Sequence, residues 1–147
     1  MTAGQRQDLA DVAERFIVAF NNADWTQFRA AIAPNVVYEE TGTGRRVESA
    51  DTYLELVKGW KQALPDVTGT IRNVVAQGNT VVQEVVWEGT QTGEMATPGG
   101  VLPASGKRVS VLGSVWITFQ GDTVQHISHH LDIMTMMTQL GAIPSPG

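Results

Sequence analysis

The sequence predicts an α+β fold: three N-terminal helices packed on one face of a curved, mostly antiparallel sheet, with a short C-terminal helix. Three observations predict it. Apolar residues recur at helical spacing in the first half of the chain and at alternate positions in the second. Gly78-Asn79 and Gly121-Asp122 each separate two alternating runs, as hairpin turns do. A length of 147 residues, with 42% hydrophobic and 17% charged, fits one domain, expected over residues 1–147.

The elements follow in order. Leu9, Val12, Ala13, Phe16, Ile17 and Phe20 form one apolar stripe of a first helix, and Asn21-Asn22 is its stop. Asp24 is placed to cap a short second helix carrying Phe28, Ala31 and Ile32, with Pro34 as its end. Residues 35–40 read as a strand and 41–44 as a loop. Ser49 caps a third helix with Tyr53, Leu54, Val57, Trp60 and Leu64 along one side, closed by Pro65-Asp66. Strands are expected at 71–77, 80–88, 109–119 and 123–131, with a Gly- and Pro-rich excursion from Thr97 to Gly106 between the middle pair. Asp132 caps the last helix, which runs to Leu140; Gly141 stands at its C′ position and Pro144 follows. The tail from Pro144 to Gly147 is expected to fray.

Composition excludes several classes. There are 10 Lys+Arg against 15 Asp+Glu, so the formal net charge is -5, which argues against nucleic acid as a partner. The absence of cysteine removes disulfides, thiolate catalysis, iron–sulfur clusters and cysteine-ligated zinc. No apolar run approaches the roughly 18 residues of a membrane span, so no membrane partner is expected. The polar, acidic stretch from Met1 to Asp11 does not read as a signal peptide, and the expected compartment is the cytoplasm.

The order of elements resembles the cone-shaped α+β barrel shared by nuclear transport factor 2, ketosteroid isomerase and limonene epoxide hydrolase. Local words resemble the SnoaL-like polyketide cyclases, or ester cyclases, within that group. They are Trp60-Lys61-Gln62-Ala63-Leu64-Pro65-Asp66, Gly89-Thr90-Gln91-Thr92-Gly93, Ser105-Gly106-Lys107-Arg108-Val109 and Asp132 with Gln139-Leu140-Gly141. The resemblance implies a hydrophobic small-molecule substrate, no cofactor and a homodimer paired through the outer sheet face. The mixed set Ser110, Leu112, Ser114, Trp116 and Thr118 could supply that face, while Val109, Val111, Val115, Ile117 and Phe119 read as core.

All three histidines lie in His126-Ile127-Ser128-His129-His130. On a strand, Ile127, His129 and Leu131 share one face. His129 is thus the histidine with apolar neighbours, and burial there favours the neutral imidazole. The resemblance adds that an acid/base Asp lies three residues before the Asp of the last helix. Here that position is His129, so proton-transfer chemistry is expected with a changed residue. The plain alternative is a half-buried histidine bonded to a carbonyl. His126 and His130 fall on the other face with no carboxylate spacing to complete a ligand set, so no metal is expected.

Two further catalytic candidates are carboxylates. Val36, Tyr38 and Glu40 share a strand face, and Glu40 resembles by position the proton-shuttling Asp of ketosteroid isomerase. The plainer reading, and the favoured one, is an exposed strand-end residue. Asp132 reads first as an N-cap, and the resemblance keeps it as a catalytic candidate. Glu84 sits with Val82 and Val86, either as a pocket acid or paired to Arg72. Tyr38, Tyr53, Trp60, Trp87 and Trp116 suit a pocket for an apolar, oxygenated ligand, or plain core packing. Met134, Met136 and Met137 are expected to pack the last helix at the cone mouth, with Met134 a ligand contact. Gln91 stands where the family often has His, and is carried as a substrate contact. Val85 and Trp87 stand where limonene epoxide hydrolase has its Arg and first Asp, so that hydrolytic route is not expected.

These residues lead to an acid/base enzyme acting on a polyketide- or steroid-like carbonyl compound, by aldol cyclisation or isomerisation. The alternatives are a binding or accessory domain without chemistry, and a ketosteroid-isomerase-type enzyme using Glu40.

Overall fold

The structure, a computed structural model, describes residues 3–144, so the tail from Ser145 onward lies outside the described residues. Helix α1 (Ala3–Asn21) buries Leu9, Ala13, Phe16, Ile17 and Phe20, as the apolar stripe requires. Helix α2 (Trp25–Ala30) is capped by Asp24, whose side chain accepts from the Gln27 N–H. Strand β1 (Ile32–Glu40) turns through residues 41–44 into β2 (Arg45–Val47). Helix α3 (Ala50–Ala63) is capped by Ser49 and buries Tyr53 and Val57. Strands β3 (Thr68–Gln77) and β4 (Thr80–Thr90) form one hairpin, and β5 (Met95–Thr97) and β6 (Gly100–Leu102) a small second one. Strands β7 (Arg108–Gln120) and β8 (Thr123–Leu131) form the third, and α4 (Ile133–Gln139) follows. The two large hairpins turn on Gly78 (φ 59°) and Gly121 (φ 63°), a backbone region that disfavours a side chain.

The main sheet runs β2-β1-β8-β7-β4-β3 and is unclosed. Its pairs are antiparallel except β1 with β8, which are parallel. This is the cone-shaped α+β arrangement that the element order resembles. One face of the sheet packs on α1, α2 and α3 around a single buried cluster. Asn21 ties the end of α1 to β3: its side chain donates to the Gly69 carbonyl and accepts from the Gly69 N–H, at 2.9 and 2.7 Å.

Four local expectations are corrected. Ile32 belongs to β1 and not to the second helix, and Pro34 lies inside the strand rather than ending a helix. Val124 N–H donates to the Ala31 carbonyl, which draws the chain into the sheet before Pro34. The exposed Pro34 falls where the β1–β8 register is irregular, so its missing N–H costs no ladder bond. Strand β2, only three residues of Arg-Arg-Val, lies where the sequence pattern assigns no element. The Gly-Pro excursion carries the β5–β6 hairpin, anchored by Met95, which is 3% exposed.

Candidate active site

Three elements converge inside the cone. Val36, Tyr38 and Glu40 of β1 point inward, as alternation requires, and so do Ile127, His129 and Leu131 of β8. The parallel register sets Glu40 beside His129. Tyr53 of α3 stacks on Tyr38, with ring centroids 4.6 Å apart.

The polar core of the site is a chain of three side chains. Tyr38 Oη donates to Glu40 Oε2 at 2.6 Å and lies 3.0 Å from His129 Nδ1. Burial, then the Glu40 charge, raises the Tyr38 hydroxyl well above its ordinary range, so it keeps its proton. That proton is engaged by Glu40, so the phenolic oxygen accepts from His129 Nδ1–H. The imidazole is therefore the Nδ1–H tautomer, and Nε2 carries the lone pair. Nε2 is buried and has no hydrogen-bond partner among the described residues. Burial pushes the His129 pKa down to about 4, against the opposing pull of Glu40. At neutral pH the ring is an uncharged base.

Glu40 is 1% exposed, which settles the strand-end question in favour of burial. Its other oxygen, Oε1, accepts from the Thr43 hydroxyl at 2.6 Å and lies 4.0 Å from the Arg45 guanidinium. Both carboxylate oxygens are thus engaged, and Glu40 does not line the cavity. It acts on the cavity only through Tyr38 and His129.

The cavity is narrow, about 70 Å³, and its lining is almost wholly apolar. A belt of rings encircles it: Phe20, Trp87, His129, Tyr38, Tyr53 and Phe28, each within 6.2 Å of the next, closed through Trp25. Trp60 lines this cavity and also two outer grooves of about 360 and 410 Å³. It is the shared wall between them. Arg45 stands over its ring at 5.9 Å and donates to the Ala96 carbonyl of β5.

A family model for SnoaL-like polyketide cyclase matches residues 10–140. The chain belongs to this family. Solved structures share its fold. A candidate SnoaL-like polyketide cyclase from Jannaschia Sp. CCS1 is 19% identical, with 98% of this chain and 99% of that one covered and a TM-score of 0.85. IdmH, a candidate polyketide cyclase from Streptomyces antibioticus, is 23% identical over 90% of this chain and 98% of that one, at 0.77. A candidate ketosteroid isomerase from Kribbella flavida DSM 17836 is 18% identical over 86% and 79%, at 0.67. No curated protein matches the chain.

Within this SnoaL-like chain the structure brings together Tyr38, Glu40, Tyr53, Trp60, Trp87 and His129. It separates the rest. Glu84 faces outward, 3.7 Å from Arg72 and bonded by Asn73 at 2.9 Å, so it is no pocket acid. The inward polar residue of that strand is Gln83, fully buried. Trp116 is 47% exposed on the outer face, and Met134 is 71% exposed; Met136 lines the cavity in its place. Gln91 does not line the cavity: its amide donates to the carbonyls of Gly93, Leu102 and Pro103, tying down the β5–β6 excursion. Asp132 is exposed and accepts from the Thr135 N–H and hydroxyl, a cap whose bonds, the hydroxyl's first, lower its pKa.

Thr43 lies in a turn and Arg45 opens a three-residue strand, and neither segment is long enough to show a period. Gly113 was missed, though its signal was legible. The inward series of β7 is Val109, Val111, Gly113, Val115, Ile117, and a glycine in a strand marks a close approach. A Cβ at Gly113 would lie 2.9 Å from His129 Nε2, so the imidazole occupies the space of the missing side chain.

Proposed function

We propose that this chain is a cofactor-independent acid/base enzyme acting on a hydrophobic, carbonyl-bearing small molecule of polyketide- or steroid-like type. One observation carries the reading. His129 lines the apolar cavity and carries a buried Nε2 lone pair without a partner, while Tyr38 and Glu40 fix the opposite nitrogen. A buried acceptor left unpaired costs about 1–3 kcal/mol, which a bound substrate would repay. Tyr38 and Glu40 hold the tautomer and stabilise the imidazolium as it forms, the orienting role a carboxylate plays in hydrolytic triads.

In the proposed reaction Nε2 takes a proton from the carbon next to a carbonyl. The C–H electron pair forms a C=C bond, and the carbonyl π pair moves to oxygen as an enolate. An enolate conjugated to a further C=C bond of the substrate is reprotonated at the far carbon of that system, which is isomerisation; an enolate that attacks a second carbonyl of the same molecule, whose oxygen then takes the proton, gives aldol cyclisation. The imidazolium returns its proton, so nothing is consumed. A base with a pKa of about 4 is mild and suits a C–H activated by two carbonyls, the 1,3-dicarbonyl unit of polyketides. The inner cavity is smaller than the roughly 300–1,000 Å³ of a ligand pocket, so a substrate of that size displaces Trp60 and extends into an outer groove.

The test is a panel of 1,3-dicarbonyl and steroid-type ketones incubated with the protein in D2O and followed by mass spectrometry. Enzyme-dependent deuterium uptake or an isomeric product, abolished by His129→Ala, is the expected result. Turnover that survives His129→Ala but not Glu40→Gln would replace this reading with a Glu40-based isomerase. The small cavity favours a second reading, a binding domain without chemistry. Compounds that bind and return unlabelled would establish it.

A homodimer and a cytoplasmic setting belong to the same proposal. Leu112 and Trp116 leave 40% and 47% of their surface exposed on the outer sheet face, where a second copy would cover them. Light scattering on Trp116→Glu against the parent chain checks the dimer, and a monomeric parent at micromolar concentration removes it.

A further inference from the structure

The buried polar atoms without a partner include one donor and one acceptor on two side chains that line the same cavity. The acceptor is His129 Nε2, and the donor is the indole Nε1–H of Trp87. A fully desolvated N–H without a partner is rare in a native interior and needs a reason.

The placement of the two rings supplies one. Trp87 comes from β4 and His129 from β8, two strands apart across β7. The benzo edge of the indole sits over Gly69 of β3, where a Cβ would lie 2.6 Å from Cζ3. Nε1 is the corner of the indole opposite Cζ3, so the N–H is directed away from β3. His129 Nε2 occupies the space above Gly113 of β7. The ring centroids are 5.7 Å apart and the rings are inclined at 57°, which leaves them as neighbouring walls rather than a stack. Neither nitrogen is bonded to the other. Two glycines, Gly69 and Gly113, make this placement possible: each gives a large ring the space of a side chain.

We propose that the Trp87 indole N–H and His129 Nε2 form a two-point site for an oxygenated ligand, in which Trp87 donates to the ligand's oxygen and His129 accepts its proton. The inference rests on the acid/base reading for its chemistry and adds the group that reading lacks. Proton abstraction beside a carbonyl places negative charge on oxygen, and a fixed donor in a dry site stabilises it. Trp87 presents such a donor, fully buried and not spent on the protein. The proton goes from carbon to Nε2, and the charge goes to the oxygen held by Nε1–H. Trp87 is then a catalytic residue, the electrophilic partner of His129. The ligand class follows: enols, phenols and 1,3-dicarbonyls, which present an acceptor oxygen beside a proton to give. Simple hydrocarbons of the same shape lack both.

The experiment uses the full chain labelled with 15N and two single-ring probes, 4-fluorophenol and fluorobenzene. The four indole signals are assigned from Trp25→Phe, Trp60→Phe, Trp87→Phe and Trp116→Phe, so that of Trp87 is also identified by elimination. We expect 4-fluorophenol to bind more tightly than fluorobenzene and to move the Trp87 N–H signal downfield, with fluorobenzene leaving it in place. In Trp87→Phe the preference for the phenol falls roughly three- to tenfold, the worth of one hydrogen bond. The direct signal in the parent chain answers the question even if Trp87→Phe folds poorly. Equal binding of both probes, phenol binding with the Trp87 signal unmoved, or neither probe reaching the cavity overturns the site. Deuterium uptake by a 1,3-dicarbonyl is measured alongside. Phenol recognition without uptake overturns the acid/base reading and keeps the two-point site. Uptake without phenol recognition keeps His129 as the base and overturns the role of Trp87.

Discussion

The two faces of strand β8 carry the same residue type to opposite ends. His129 faces inward, 8% exposed, bonded to Tyr38 through Nδ1 and open at Nε2. His126 and His130 face outward. His126 lies 3.5 Å from Glu39, and His130 contacts the Thr41 and Ser128 hydroxyls at 3.2 and 3.4 Å in the open. The neighbouring carboxylates repeat the contrast. Glu39 pairs with Arg46 on the surface, while Glu40 is buried against Tyr38 and Thr43. Water screens the outer set, and each exposed pair is worth about 0–1 kcal/mol. The inner set is desolvated, so one proton's position decides what the group can do. Burial, not residue type, makes the site.

The largest way to break this comparison is His129→Ala. Turnover of any carbonyl substrate should fall by about 10²- to 10⁴-fold in kcat/KM, the usual worth of a positioned general base. His130→Ala should leave it within about twofold; an equal loss from both would erase the distinction between the faces.

The pH dependence of stability is next in size. The folded pKa of His129 is about 4 against an ordinary 6.5, so between those values the unfolded chain binds the extra proton. Its contribution is fully present above about pH 6.5 and is lost as pH falls toward 4. The total is roughly 3 kcal/mol. Urea unfolding across pH 4 to 7 should show this slope in the parent chain and a shallower one in His129→Leu. Activity should hold level from pH 6 to 8, because the base stays unprotonated there.

Gly113→Ala sharpens the comparison from the backbone side. Its Cβ would crowd His129 Nε2 at 2.9 Å, so the imidazole must shift off Tyr38. Denaturant midpoints should report about 1–3 kcal/mol of destabilisation. Asp132→Ala should cost about 1 kcal/mol in the same measurement, through loss of the α4 cap. The smallest effect belongs to the outer face. Arg72→Ala, which removes an exposed partner of Glu84, should change stability by less than about 0.5 kcal/mol.

Much of the fold was legible. Both hairpin turns, the three side-chain caps at Asp24, Ser49 and Asp132, and the apolar stripes of α1 and α3 depend on near neighbours, and local chemistry specifies them. So was the inward phase of β8, because His126-Ile127-Ser128-His129-His130-Leu131 has apolar residues on one face only. Strand β4 was not legible in the same way. Val81-Val82-Gln83-Glu84-Val85-Val86 is equally apolar on both phases, and period alone cannot say which half is inside. The helices decide, by covering Val81, Gln83 and Val85, and that puts Glu84 in water. The exposure of Trp116 has the same cause: it lies on the uncovered phase of β7.

The sequence by itself determined the order of the larger elements, the caps at Asp24, Ser49 and Asp132 and the inward phase of His129, because these rest on spacing and on contacts within a few residues. Only the tertiary structure decided the rest. It set Glu40 beside His129 across a parallel strand pair. It turned the imidazole by giving Nδ1 to Tyr38, and it left Nε2 and the Trp87 N–H without partners on two side chains that line one cavity. Those facts depend on residues as far apart as Tyr38 and His129, and only the closing of the sheet around its helices brings them within hydrogen-bond distance.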